Sequence, residues 1–148
     1  MFHKPGKSNQ YRRKGKNLIA TNKIKPEQWH ISEAEAKEAL KLKGYDVKQI
    51  KKIHCLKHQV CISYWDAKGN VCSSFFSYRI FARWQEEAEK LIYTCQTLKG
   101  WAKINYLMKY EFAYYNYPSE MEDALHAILE NHLSVLKVTA QQVVLQYF

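Results

Sequence analysis

The residues of this chain that could do chemistry fall into three groups, and two of them lack the spacing their chemistry needs. The first group holds metal-ligand types. His54, Cys55, His58 and Cys61 are close in sequence, and Cys72 follows. Zinc takes four nitrogen or sulfur donors in a tetrahedron. This run sits in a segment that reads as a strand, where side chains alternate between faces and Cys55 and His58 point opposite ways. No Cys-x-x-Cys pair is present, so a zinc ribbon is not expected. The run reads as scattered reduced thiols and surface histidines, and no metal or cofactor is expected.

The second group is Glu120, Glu122, Asp123 and His126, an acid–base set on one helical segment. Acidic residues at a helix start ordinarily compensate the helix dipole. His132 lies six positions past His126, off that face. The sequence has no Gly-rich phosphate loop, nucleophile elbow or His-Glu-x-x-His run. No catalytic residue is assigned, and the chain reads as a binding protein rather than an enzyme.

The third group is ionic. Residues 1–25 contain Lys4, Lys7, Arg12, Arg13, Lys14, Lys16, Lys23 and Lys25, with no acid. Residues 26–70 hold eight basic and six acidic groups, and residues 71–148 hold seven and eight, so nearly all of the net +9 lies at the N-terminus. A block of like charge stays solvated and seeks an acidic partner. Lysine and arginine neutralise phosphates and release counterions. Tyr11 adds a ring that bases can stack on. Arg79 and Arg83, one turn apart, read as further phosphate contacts. The expected partner is therefore nucleic acid, DNA or RNA, in an accessory or regulatory role.

An alternative reading rests on tyrosine. Tyr106, Tyr110, Tyr114 and Tyr117 read as one helical stripe. Tyrosine is enriched at protein interfaces because its body is apolar and its tip polar. This points to a protein-interaction or inhibitory adaptor, with a protein partner or a homodimer.

The elements that would position these groups read as follows. Pro5, Gly6, Gly15 and other breakers make residues 1–25 a flexible basic arm, and residues 26–148 a single domain. Ser32-Glu33-Ala34-Glu35 is a capping box that opens a helix ended by Gly44. Segments 48–57, 59–65 and 70–76 read as strands. Asp66-Ala67-Lys68-Gly69 joins the last two as a hairpin with a three-residue loop. Its register sets Tyr64 opposite Cys72 and Cys61 opposite Phe75, which separates Cys61 from Cys72. Trp65, Phe75, Phe76, Phe81 and Trp84 read as core between sheet and helix. A helix spans 77–96 and is stopped by Gly100. A second runs 101–117, and a third starts at a Ser119–Glu122 capping box, with 138–148 leaning to helix. The expected core includes Phe81, Trp84, Leu91, Ile128 and Leu129.

Strands followed by helices give an α+β fold, with one antiparallel sheet of about three strands under helices. Three strands and a helix also match β-sheet readers of nucleic acid, whose strands enter the major groove. No apolar run is long enough to span a membrane, and no secretory signal is read at the N-terminus. The expected location is cytoplasmic, with no membrane partner.

Overall fold

A computed structural model describes residues 16–147. The fold is α+β: a three-stranded antiparallel sheet, in the order β1-β2-β3, with four α-helices. Helix α1 spans Glu33–Leu42, and the strands are β1 (Gln49–Cys55), β2 (Val60–Trp65) and β3 (Val71–Phe76). Helices α2 (Ala82–Tyr93), α3 (Leu98–Tyr114) and α4 (Ser119–Tyr147) follow. Single 3-10 turns stand before α1 (Pro26–Gln28) and before α2 (Tyr78–Ile80).

Helix α1 forms where its caps require. The Ser32 hydroxyl accepts from the Glu35 amide at 3.1 Å. At the other end Gly44 takes φ +94°. Its N–H donates to the Lys41 carbonyl, and the Tyr45 N–H reaches back to Leu40. That pair of bonds satisfies the carbonyls the helix end would leave open. Tyr45 then packs edge-on against Phe76 (5.3 Å) and Tyr64 (6.5 Å).

The hairpin register matches the sequence reading: Tyr64 pairs with Cys72 and Cys61 with Phe75. Gly69 has φ +82° in the loop. The Asp66 carboxylate caps the turn by accepting the Lys68 and Asn70 amides, both at 2.9 Å. All four cysteines are free thiols.

One hydrophobic cluster joins the inner sheet face (Ile50, Val60, Ile62, Tyr64, Phe76) to Trp84, Ala88 and Ile92 of α2, Ile104, Met108 and Phe112 of α3, and Leu125 and Leu129 of α4. Phe81, Trp84 and Leu129 are buried as expected, whereas Leu91 and Ile128 are half-buried at its margin.

Several expected boundaries are corrected. The basic arm does not extend to residue 25. Asn17, Leu18, Ile19 and Ile24 are buried, and the apolar three belong to the core cluster. Four apolar or amide side chains among the cations fold inward, because burying them outweighs the pull of neighbouring charge toward water. The helix expected over 77–96 starts only at Ala82, because Phe81 is extended (φ −93°, ψ 139°) and caps it. Gly100 is no stop signal. It lies in the first turn of α3, where its N–H donates to the capping Thr97 hydroxyl at 3.0 Å. Ser119 is already helical, and the Glu122 amide donates to the Pro118 carbonyl. Residues 138–147 continue α4, and every position from Lys137 to Tyr147 is exposed. Phe75 is not core: it is 56 % exposed on the outer face of the sheet. No helix among the described residues is long and apolar enough to cross a membrane.

Candidate nucleic-acid interface

The outer face of the sheet follows from strand alternation plus one irregularity. In β2, Val60, Ile62 and Tyr64 turn inward, so Cys61, Ser63 and Trp65 turn outward. Their partners on β3 are Phe75, Ser73 and Val71. On β1 the register shifts between Ile50 and Lys52. That bulge leaves Lys51 and Lys52 both exposed, and His54 completes the outward row beside Cys61. A bulge adds a residue to one strand and re-aims its side chains.

The face is therefore cationic along β1 and aromatic or apolar across β2 and β3. The Lys51 ammonium sits 5.5 Å from the centre of the Trp65 ring. Ser63 and Ser73 share a 2.7 Å hydrogen bond between their hydroxyls. Val71 and Phe75 are 51 % and 56 % exposed. A solvated sheet face is ordinarily polar, and here exposed aromatic and branched side chains stand beside lysines instead. Between Lys48 and Gln85 the chain has seven basic residues and one acid, Asp66. That carboxylate is occupied by the amides of its own turn.

The sequence candidates distribute unevenly. Lys4, Lys7, Tyr11, Arg12, Arg13 and Lys14 lie outside the described residues. Lys16, Lys23 and Lys25 are exposed. Arg79 is not a phosphate contact. Its guanidinium is 2 % exposed and bonds Glu111, with Nη2 to Oε2 at 2.7 Å. It lies 3.7 Å from the Tyr115 ring centre and 4.5 Å from that of Trp84. Burial works to lower the Arg79 pKa, and the Glu111 carboxylate more than reverses this, so the group stays charged. Arg83 is half-buried rather than free. It donates to Glu35 at 2.7 Å and to the His30 carbonyl at 3.2 Å.

The tyrosine stripe also divides. Tyr106, Tyr110 and Tyr114 lie along α3, with the last two rings 4.6 Å apart. Lys16 donates to the Tyr106 hydroxyl at 3.1 Å, and that bond raises the Lys16 pKa. The end of the basic segment is thus seated on the stripe. Tyr117 lies beyond α3, and its hydroxyl donates to Glu111 while accepting from the Trp84 indole. Burial first, and then the Glu111 charge, push its pKa well above the usual phenol value.

No family model matches this chain, and neither does any curated protein or solved structure. Among the described residues, no group of three or more His, Cys, Asp or Glu side chains is placed to hold a metal ion. His54 and Cys61 are cross-strand neighbours on the outer face, whereas Cys55 and Cys72 pair with the inward-facing Val60 and Tyr64. In the acid–base group, His126 lies against the Phe112 ring at 4.4 Å. The His132 ring nitrogen is 2.7 Å from the Cys95 carbonyl.

The sequence reading raised the strands as a groove reader but did not assign Lys51, Lys52, Trp65, Val71 or Phe75 to its outer face, and placed Trp65 and Phe75 in the core. The signal was present: the lone acid between Lys48 and Gln85, and the outward alternation of Cys61, Ser63 and Trp65.

Proposed function

We propose that this protein is a nucleic-acid-binding accessory or regulatory protein that lays the outer face of β1–β3 into the major groove of a duplex. The basic residues of the N-terminal segment hold the flanking phosphates. The observation that carries this reading is the joining of Lys51, Lys52 and His54 to Trp65, Val71 and Phe75 on one exposed sheet face. The major groove, about 12 Å wide, admits a β-ribbon. Lysines along β1 suit the phosphate wall. The Ser63 and Ser73 hydroxyls and the His54 ring offer hydrogen bonds to base edges, and Val71 and Phe75 suit the thymine methyl. Four free thiols fit a reducing, cytoplasmic setting.

The test is a salt titration of binding to random-sequence duplex DNA and RNA. Replacing Lys51 and Lys52 by alanine together is expected to reduce the slope of log affinity against log salt by about 2. Replacing Lys41 and Lys43, which are exposed on and just after α1, removes the same charge away from the face and is expected to change the slope by less than half as much. Equal effects of the two pairs would reject the sheet face as the site.

A protein-interaction adaptor is the second reading. The exposed outer turns of α4 favour it, with Val138, Val143, Val144, Leu145 and Tyr147 open to solvent. In that case full-length protein would bind nucleic acid weakly at about 150 mM salt, where phosphate contacts are screened.

A further inference from the structure

A cleft of about 740 Å³ opens between the Asn17–Ile24 segment, the end of α2 and the start of α3. Its walls are apolar, formed mainly by Leu91, Ile104 and Leu107. Lys23, Lys99 and Lys103 also line it, and no acidic residue does. Specific local structure positions these cations. The Leu18 carbonyl accepts the amides of Lys23 (2.9 Å) and Ile24 (3.1 Å), and Asn22, just before them, turns the chain at φ +58°. That turn fixes Lys23 at the rim. Thr97 caps α3, and the first turns of that helix carry Lys99 and Lys103.

Three cations around an apolar hollow suit an anion with an apolar body. Small-ligand sites commonly enclose about 300–1,000 Å³, lined by apolar side chains with a few polar groups that fix orientation. We propose that this cleft binds a single-chain amphiphile with an anionic head. The alkyl body would lie on Leu91, Ile104 and Leu107, and the carboxylate or phosphate would sit among Lys23, Lys99 and Lys103. The site is separate from the sheet face, so either assignment stands without the other.

The experiment titrates the ¹⁵N-labelled full chain with dodecyl phosphate, dodecanol and inorganic phosphate, each below any micelle concentration. Amide shifts at Leu91, Cys95, Ile104 and Leu107 report on the cleft rather than on the basic N-terminal segment. Dodecyl phosphate is expected to saturate these shifts about tenfold more tightly than dodecanol, which is the effect of about 1.4 kcal/mol from the lysine cluster. Inorganic phosphate is expected to leave them unmoved. Lys99→Gln with Lys103→Gln should remove most of the preference for dodecyl phosphate while dodecanol binding persists. Leu107→Trp, which fills the hollow from a half-buried position, should weaken both ligands. Equal affinity for dodecyl phosphate and dodecanol would overturn the proposal. So would saturation by inorganic phosphate, or an acidic amphipathic peptide shifting these amides where dodecyl phosphate does not.

Discussion

The guanidinium of Arg79 meets the carboxylate of Glu111 in a site where both side chains are sealed from water, 2 % and 0 % exposed. Glu111 also accepts the Leu18 amide at 3.0 Å and the Tyr117 hydroxyl. A charge pair taken out of water is retained only when its remaining hydrogen-bonding capacity is filled. Here the filling groups come from the N-terminal segment, from the approach to α2, from α3 and from the α3–α4 link. The pair therefore fixes four separate stretches of chain at one point.

Removing one member of that pair should be costly. Glu111→Leu leaves Arg79 as an uncompensated buried charge, and a loss of about 3–5 kcal/mol is expected by urea unfolding. Adding Arg79→Met should recover part of it, since replacing both members of a buried pair by apolar groups is often near neutral. A double variant no more stable than the single would show that the buried charge is not the cause.

Three phenols predict sensitivity to alkali. Burial raises the pKa of Tyr78, Tyr115 and Tyr117, with Glu111 adding to the effect at Tyr117. In the unfolded chain a phenol titrates near 10. A folded pKa above that value gives stability that is complete below about pH 10 and is lost as pH climbs toward the folded values. The thermal midpoint should therefore fall above about pH 10. Tyr117→Phe should show a shallower fall, measured as the slope of Tm against pH between about 9.5 and 11. Parallel slopes for the two proteins would contradict the assignment of Tyr117.

Truncation should separate the charged segment from the core. Deleting residues 1–15 leaves every described contact in place, and the melting curve should stay close to that of the full chain. Deleting residues 1–25 also removes Leu18, Ile19 and Ile24 from the core, and buried aliphatic side chains are each worth about 2–5 kcal/mol on truncation. That shorter protein should lose cooperative unfolding in calorimetry. A sharp transition in it would show that the Asn17–Ile24 segment contributes little.

Gly69 isolates a backbone effect. A Cβ built there meets nothing within 4 Å, yet φ is +82°. Gly69→Val should cost about 1 kcal/mol or more, because β-branched residues resist positive φ. Gly69→Asn should cost less, since asparagine tolerates the left-handed region. Equal losses in chemical denaturation would point to packing rather than to φ.

The hairpin and α1 were legible because their signals are local. Asp66 and Gly69 set the turn within four residues, and Ser32 and Gly44 bracket the helix. Arg79 was misread because its partner is 32 positions away. No local pattern distinguishes an arginine bound for a buried carboxylate from one bound for solvent. Leu18, Ile19 and Ile24 were masked by the cations around them. The outer sheet face was hidden by averaging charge over residues 26–70, where the acids of α1 offset the lysines of the strands. The break at Phe81 was unreadable because apolar spacing runs on through the 3-10 turn into α2.

Helix α4 has 29 residues and so runs about 43 Å, but its inward-facing side chains end at Leu136. The remaining turns contain Val138, Thr139, Val143 and Val144, residues of modest helix propensity. A free peptide of that length would barely be helical in water. Its helicity is an extension of the anchored half, since adding a turn to an existing helix avoids the cost of nucleation. Amide hydrogen exchange should therefore form a gradient along one continuous helix, slow through Leu125 and Leu129 and progressively faster from Lys137 outward. Warming should shorten this helix from its outer end well before the domain unfolds.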